Sequence, residues 1–410
     1  MKASNILFAL GLLVAGLGVS HHAHAARLYT SGFELATTAD GVEWSINQTP
    51  LAISTSTVRS GTYSARINAG NGFVRQHVFT ANQNTIGYIS AAVYIASAVN
   101  QNTQLLRWST TGNVSVGNIT LRTDNTLVLL ASNGTQIGSV SSALSTNTWY
   151  CVQLKNDASA ATGVLTASID GTTFATGNNS NRGSFARVLV GTITGTQTTS
   201  DLYFDDIKIN DNSGSSQTGF PGCGKVVITR PNGDGESTGW VIGGSSPAAT
   251  RYGSVNETTP DDGVTLVATS TNNTSTLYTV SSLGLQSYDT IDVVQVGGRF
   301  NDATAADATS AFKFLIEKTN GGTKASSTAI IPNSTTWRTN TTAAPDTYPL
   351  TAYTDPDGAA WTNSTLDTMR IGAITTAIGT RAIQLSTIWA YVDYTPGTAP
   401  SAAYRFFFMF

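Results

Sequence analysis

The chain has 410 residues and a formal net charge of −3, with 11% charged and 40% hydrophobic residues. Ordinary apolar content argues against disorder, which combines low hydrophobicity with high charge. The near-neutral balance gives no basic footprint for nucleic acid, and no Lys/Arg cluster or amphipathic segment points to a membrane surface.

In chain order, residues 1–25 read as a cleavable export signal. Met1-Lys2 supply a weak positive start, Ile6 to Val19 an apolar run, and Ala23-His24-Ala25 an A-x-A cleavage signal. The run is too short for a membrane span. The expected location is secreted, extracellular or at the cell surface, or the periplasm. His21, His22 and His24 leave with the leader, so His77 is the one histidine of the mature chain.

Beyond the leader, alternating apolar runs bounded by turn residues recur at the spacing of a β-sandwich, and no stretch has helical periodicity. Examples are Thr85–Tyr94, Gln104–Trp108, Ser115–Arg122, Thr126–Leu130, Gly163–Asp170 and Asp201–Ile209. Asn133-Gly134 and Asp170-Gly171 fall between such runs and predict tight hairpins. Asn210 to Gly219 has the composition of a linker, and strand pattern resumes at Lys225–Thr229 and runs to Tyr394. The expected fold is all-β, with two tandem antiparallel β-sandwich (jelly-roll) domains. Residues 27–210 form the first and 225–397 the second, joined by 211–224 and followed by an aromatic tail, 398–410. The halves read as degenerate relatives: Asn147-Thr148-Trp149 matches Thr335-Thr336-Trp337, and about fifty residues after each comes a closing strand, Leu202–Ile207 or Ile388–Tyr394.

Cys151 sits in a strand and Cys223 in the Gly/Pro turn Phe220–Gly224. An even count in an exported chain is read as a disulfide, Cys151–Cys223, with two separate thiols as the alternative.

Gly32-Phe33-Glu34, Trp44, Arg59–Ile67, Asn147–Leu154, the hairpin Ala167–Gly171 and Leu202–Ile207 carry a family likeness. Through them the first half resembles the concanavalin/laminin-G-like and carbohydrate-binding-module jelly rolls, over roughly residues 27–210. In the second half the carriers are Pro231–Gly235, Gly239-Trp240, Tyr252, Asn256-Glu257, Asp261-Asp262, Ala360–Thr362, Met369–Gly372 and the closing strand. Through them it resembles β-sandwich modules of phage structural and bacterial surface proteins.

The first resemblance implies a structural calcium, held by Glu34 after the first strand and by Asp206 or Asp205 in the last. Calcium takes several oxygen ligands, and facing acids without a cation would repel. Strand alternation would aim only one of the two adjacent aspartates at Glu34, and Asp206 is favoured; the plain alternative is solvated strand-end acids. The resemblance also implies sugar recognition on aromatic faces. Candidates are Trp44, Trp108 and Tyr94 in the first half and, after the turn-rich run Asp355–Ala360, Trp361. Trp149 and Trp389 lie mid-strand among apolar residues and are expected in the core.

No catalytic residue is expected. The E-x-D-x-x-E pattern of sandwich glucanases is absent, as are G-x-S-x-G, H-E-x-x-H and C-x-x-C, and His77 has no acid or nucleophile beside it. The expectation is a secreted, non-catalytic adhesion or glycan-binding protein. A self-assembling surface or virion-like protein comes second and a polysaccharide hydrolase or lyase third. Expected partners are a glycan or cell-surface polymer, and copies of itself through the apolar tail Tyr404–Phe410. Nucleic acid and a membrane span in the mature chain are not expected.

Overall fold

Alternation builds the first half. A pleated strand sends successive side chains to opposite faces, so Ile86–Ile95 buries Ile89, Ala91, Val93 and Ile95 in the core and turns Tyr88, Ser90 and Tyr94 the other way. The computed structural model describes residues 27–47, 51–68, 75–78, 85–159, 162–179, 183–191, 199–340 and 347–399. Residues 1–25, read above as an export signal, and the aromatic run Tyr404–Phe410 lie outside the described residues.

The fold is all-β, in antiparallel sheets. One sheet runs Thr172–Asn178, Val164–Ile169, Trp149–Asp157, Ile86–Ile95, Leu202–Asp211, Ser64–Ile67 and Leu51–Ser54, with Arg27–Ser31 also pairing to Leu202–Asp211. Facing it run Gln136–Ile137, Leu127–Ala131, Ser115–Leu121, Thr103–Ser109, Arg187–Val190, Arg75–Val78 and Ile46–Asn47. His77 belongs to Arg75–Val78 and pairs through its backbone with Val188. At the predicted hairpin, Asp170 and Gly171 take φ of 49° and 79°. That is the left-handed pair a type I′ turn needs.

The later residues form a second pair of sheets. One holds Val241–Gly243, Leu266–Thr269, Ile383–Thr395, Thr290–Asp302 and Arg338–Thr339, with Lys225–Thr229 and Leu350–Ala352 attached. The other holds Pro231–Ser237, Ser275–Val280, Arg370–Ala377, Ala311–Glu317 and Lys324–Ser326. Among the described residues the helices are one 3-10 turn, Tyr252–Ser254, and Asn363–Thr368. None is long and apolar enough to cross a membrane.

The two halves repeat one pairing pattern. Leu202–Asp211 has one long neighbour, Ile86–Ile95, on one side and two short strands, Arg27–Ser31 and Ser64–Ile67, end to end on the other. Ile383–Thr395 has Thr290–Asp302 on one side and Lys225–Thr229 with Leu266–Thr269 on the other. Trp149 opens a strand paired to the first long neighbour, and Trp337 immediately precedes one paired to the second.

The halves share buried surface. Tyr348, Trp389 and Tyr391 pack into the same apolar cluster as Tyr29, Phe33 and Trp44, with Tyr29–Tyr348 and Tyr348–Tyr391 ring centroids 5.6 and 6.0 Å apart. Beside them Asp393 is fully buried and accepts from Arg27 Nη2 and Lys208 Nζ, each at 2.8 Å. The rest of the Arg27 fork donates to Asn210 Oδ1 (2.6 Å), Thr30 Oγ1 (3.1 Å) and Gln217 Oε1 (2.7 Å). Burial alone would push the Asp393 carboxyl up, but the two cations override it and hold it below the usual carboxylate range.

Removing one member of a buried ion cluster strands the others. Asp393→Asn should therefore cost about 3–5 kcal/mol of stability in urea unfolding at neutral pH. A loss under about 1 kcal/mol, the value of a solvated pair, would refute that reading.

Candidate functional site

Three of the four aromatic residues expected to touch ligand are core residues. Trp44 and Trp108 are both 0% exposed. The first stacks on Phe33 at 5.8 Å and donates Nε1–H to Ser31 Oγ, and the second packs on Phe185 and donates to the Leu154 carbonyl. Trp361, 5% exposed, lies in the second apolar cluster and donates to the Ala352 carbonyl. The turn-rich loop before it is exposed at 357–360, but the indole is not. Asp355 Oδ1 accepts from the N–H of Asp357 and Ala359, each at 3.0 Å, and this closes the loop tightly and turns the indole inward. A large apolar ring whose single N–H already has a carbonyl partner belongs in a core.

Tyr94 is the candidate left at the surface, and it does not stand alone. The register places Trp149 opposite Tyr94, Tyr94 opposite Tyr203, and Tyr203 opposite Arg66, one row across four adjacent strands. Leu202 and Phe204 point into the core, so Tyr203 between them faces out. By the same parity Trp149 faces away from Val152 and Leu154. This corrects its expected core position: it is half-buried. Ring centroids are 5.4 Å apart for Tyr94–Trp149 and 5.6 Å for Tyr94–Tyr203, tilted and edge-to-face. The Arg66 guanidinium lies 6.0 Å from the Tyr203 centroid and donates to Asp201 Oδ2 at 2.6 Å. At the other end the Tyr94 hydroxyl donates to Asn147 Oδ1 at 3.0 Å.

Part of that sheet face is covered, on the strands Ile86–Ile95 and Leu202–Asp211. Cys151 and Cys223 form a disulfide. It holds the following segment against the sheet, where Ser90 Oγ donates to the Gly222 carbonyl, Asn210 Nδ2 to those of Gln217 and Gly219, and Phe220 meets Tyr88 edge-on. The aromatic row begins beyond this cover. Sequence reading missed Trp149, Tyr203 and Arg66 as a group. Parity within each strand signals which way each ring points, but no property of one strand gives the register that aligns them.

The acids singled out for calcium do gather, though differently from expectation. A β-bulge inserts one residue between Asp205, opposite Ala92, and Lys208, opposite Ser90, with Asp206 at φ 50°. The bulge breaks the alternation expected to part the two aspartates, and both meet the loop after Thr57. Asp205 accepts from the N–H of Arg59, Ser60 and Asp206. Asp206 accepts from the Arg59 guanidinium, the Ser60 hydroxyl and the Val226 N–H. Glu34 Oε1 accepts from the N–H of Thr62 and Tyr63 at 2.9 and 3.1 Å. Burial pushes the Glu34 carboxyl up to about 7 against those two donors, and burial followed by the neighbouring Asp206 pushes Asp205 well above its ordinary range.

Calcium needs roughly six to eight oxygens with free lone pairs. Here N–H and O–H donors occupy the aspartate oxygens, and a guanidinium already supplies the positive charge. Among the described residues no group of three or more His, Cys, Asp or Glu could hold a metal ion. As placed, these residues do not fit the calcium that the resemblance implies.

A further acid pair sits in the second half. The Thr265 hydroxyl bridges Glu257 Oε1 and Asp261 Oδ2, and Thr387 Oγ1 donates to Glu257 Oε2 at 3.2 Å. Burial, with the Asp261 charge adding to it, pushes Glu257 up to about 7, and the two hydroxyls act against it. A carboxyl raised from 4.5 to about 7 on folding binds a proton in the folded chain that the unfolded chain has released. Its contribution to stability therefore falls as pH rises through that window. Urea midpoints from pH 5 to 8 should decline less steeply for Glu257→Gln than for the parent, and parallel curves would refute this.

No protein-family model matches the chain, and no curated protein matches it. Among solved structures it is similar to a "Cellulose induced protein, Cip1" at 15% identity and TM-score 0.36, over 48% of this chain and 100% of that one. It is also similar to a Trypanosoma rangeli sialidase complex, at 15% identity and TM-score 0.29, over 36% of this chain and 25% of that one. A third is the receptor binding domain of botulinum neurotoxin C/D mosaic serotype, at 13% identity and TM-score 0.33, over 45% and 48%. The chain thus spans a quarter of that sialidase's length and under half of the toxin domain's. At these values the likenesses establish neither family nor activity. Sialidases, which are enzymes, recur among them, and the expectation of a chain without catalytic activity is withdrawn.

Proposed function

We propose that this protein is a glycan-binding β-sandwich protein and that the row Trp149–Tyr94–Tyr203–Arg66 is its sugar-contacting face. The observation that carries the reading is the row itself: three aromatic side chains and a guanidinium brought into register on four neighbouring strands. Aromatic rings offer flat apolar surface to the carbon face of a sugar ring. Here polar groups suited to hydroxyls flank them at both ends, Asn147 on one side and the Arg66–Asp201 pair on the other. A pocket of apolar surface with a few placed polar groups is the usual recipe for small-ligand recognition. Because Arg66 is already matched by Asp201, the reading favours neutral sugars over acidic ones. The edge-to-face packing of Tyr94 on Tyr203 leaves Tyr203 only 7% exposed. Direct contact thus falls to Trp149, Tyr94 and the polar ends, with Tyr203 as the support beneath.

Glycan-array screening followed by calorimetry tests this. Tyr94→Ala and Trp149→Ala should each weaken binding at least about tenfold, some 1.4 kcal/mol. Affinity for every glycan unchanged by both substitutions would overturn the reading.

The bridged pair Glu257 and Asp261 favours a second reading, hydrolysis of a glycan. Glycosidases pair a carboxyl kept protonated near neutrality with a second, ionised one. Release of reducing sugar that Glu257→Gln abolishes, with folding intact by circular dichroism, would establish it. Equal release by parent and variant would remove Glu257 from consideration.

A further inference from the structure

The turn Arg59–Tyr63 lies where the family resemblance puts a cation, and it carries a positive charge of its own. Four of its five backbone N–H groups are directed at acids: Arg59 and Ser60 to Asp205 Oδ2 at 2.9 and 3.3 Å, Thr62 and Tyr63 to Glu34 Oε1. At Gly61, φ is +65°, and a side chain there would run into the Glu34 carboxylate. The turn therefore needs glycine at the one position where the chain bends closest to the acid.

The Arg59 guanidinium completes the arrangement. It pairs with Asp206 and donates to the carbonyls of Cys223 at 2.7 Å and Gly224 at 3.0 Å. Asp206, 1% exposed, also takes the Val226 N–H at 2.6 Å. From the second half, Arg230 Nη2 donates to the Glu34 carbonyl and the Glu34 N–H donates to the Tyr391 hydroxyl. One turn thus joins the first strand, the bulge of the closing strand, the disulfide-bearing segment and the start of the second half.

We propose that Arg59 does the work of the cation here. It neutralises Asp206, fastens the segment at Cys223–Gly224, and makes the junction between the halves independent of calcium. A planar fork suits this better than a point charge, because it meets one carboxylate and two carbonyls at once. The proposal goes beyond the glycan reading and does not rest on it.

Thermal unfolding of the full chain in EDTA and in excess calcium chloride, with metal analysis of the purified protein, tests it. The parent should melt at the same temperature in both and contain no stoichiometric calcium. Arg59→Ala should lower Tm by roughly 5 °C or more, because Asp206 is left buried without its countercharge. Arg59→Lys, which keeps the charge and loses the fork, should recover about half of that loss. Should Arg59→Ala fail to fold, the lysine variant still carries the test, with an intermediate Tm indifferent to EDTA. A parent Tm that falls in EDTA and returns with calcium would overturn the proposal. So would an Arg59→Ala variant melting within about 1 °C of the parent, the shift expected of a solvated surface pair.

Discussion

A carboxylate buried with two cations governs how the halves of this molecule meet. Asp393 comes from the closing strand of the second half, and Arg27 and Lys208 come from two paired strands of the first. None of the three charges could stay out of water without the others. Their pairing therefore sets the position of the two closing strands relative to each other. The aromatic contact of Tyr29, Tyr348 and Tyr391 alongside is apolar and tolerant of small shifts. The charged cluster, with each donor directed at a particular oxygen, is not.

That junction divides the outer face of the first large sheet into two regions. One is covered, by the second half near Asp393 and by the segment tied down at Cys151–Cys223. The other begins at the row of Trp149, Tyr94, Tyr203 and Arg66. The binding reading depends on this division, since the same rings beneath the cover would be interior packing. The Arg59 guanidinium also holds the carbonyls of Cys223 and Gly224, so the disulfide and the guanidinium act on the same short stretch of chain.

The residues proposed for sugar contact show how local and global information differ. The strand carrying Tyr94 reads plainly from alternation, and so does the outward aim of Tyr203 between Leu202 and Phe204. Trp44, Trp108 and Trp361 look the same in sequence as surface aromatics, because an indole is equally suited to a core and to a sugar. Burial and the partner of each N–H separate the two cases. At Asp205 and Asp206 strict alternation gave the wrong geometry, since a bulge adds a residue without any marker in composition.

By itself the sequence determined the all-β class, the hairpin at Asp170-Gly171 and the alternation of strands such as Ile86–Ile95. These follow from side-chain periodicity and backbone sterics within a few residues. It also determined that Cys151 and Cys223 were the only two cysteines available to pair. Tertiary structure alone decided which rings share a row, which acids share donors, and that Arg59 meets Asp206 across nearly 150 positions of chain. Register, bulges and sheet-on-sheet packing arise from the balance of many distant contacts, and no local window of residues contains that balance.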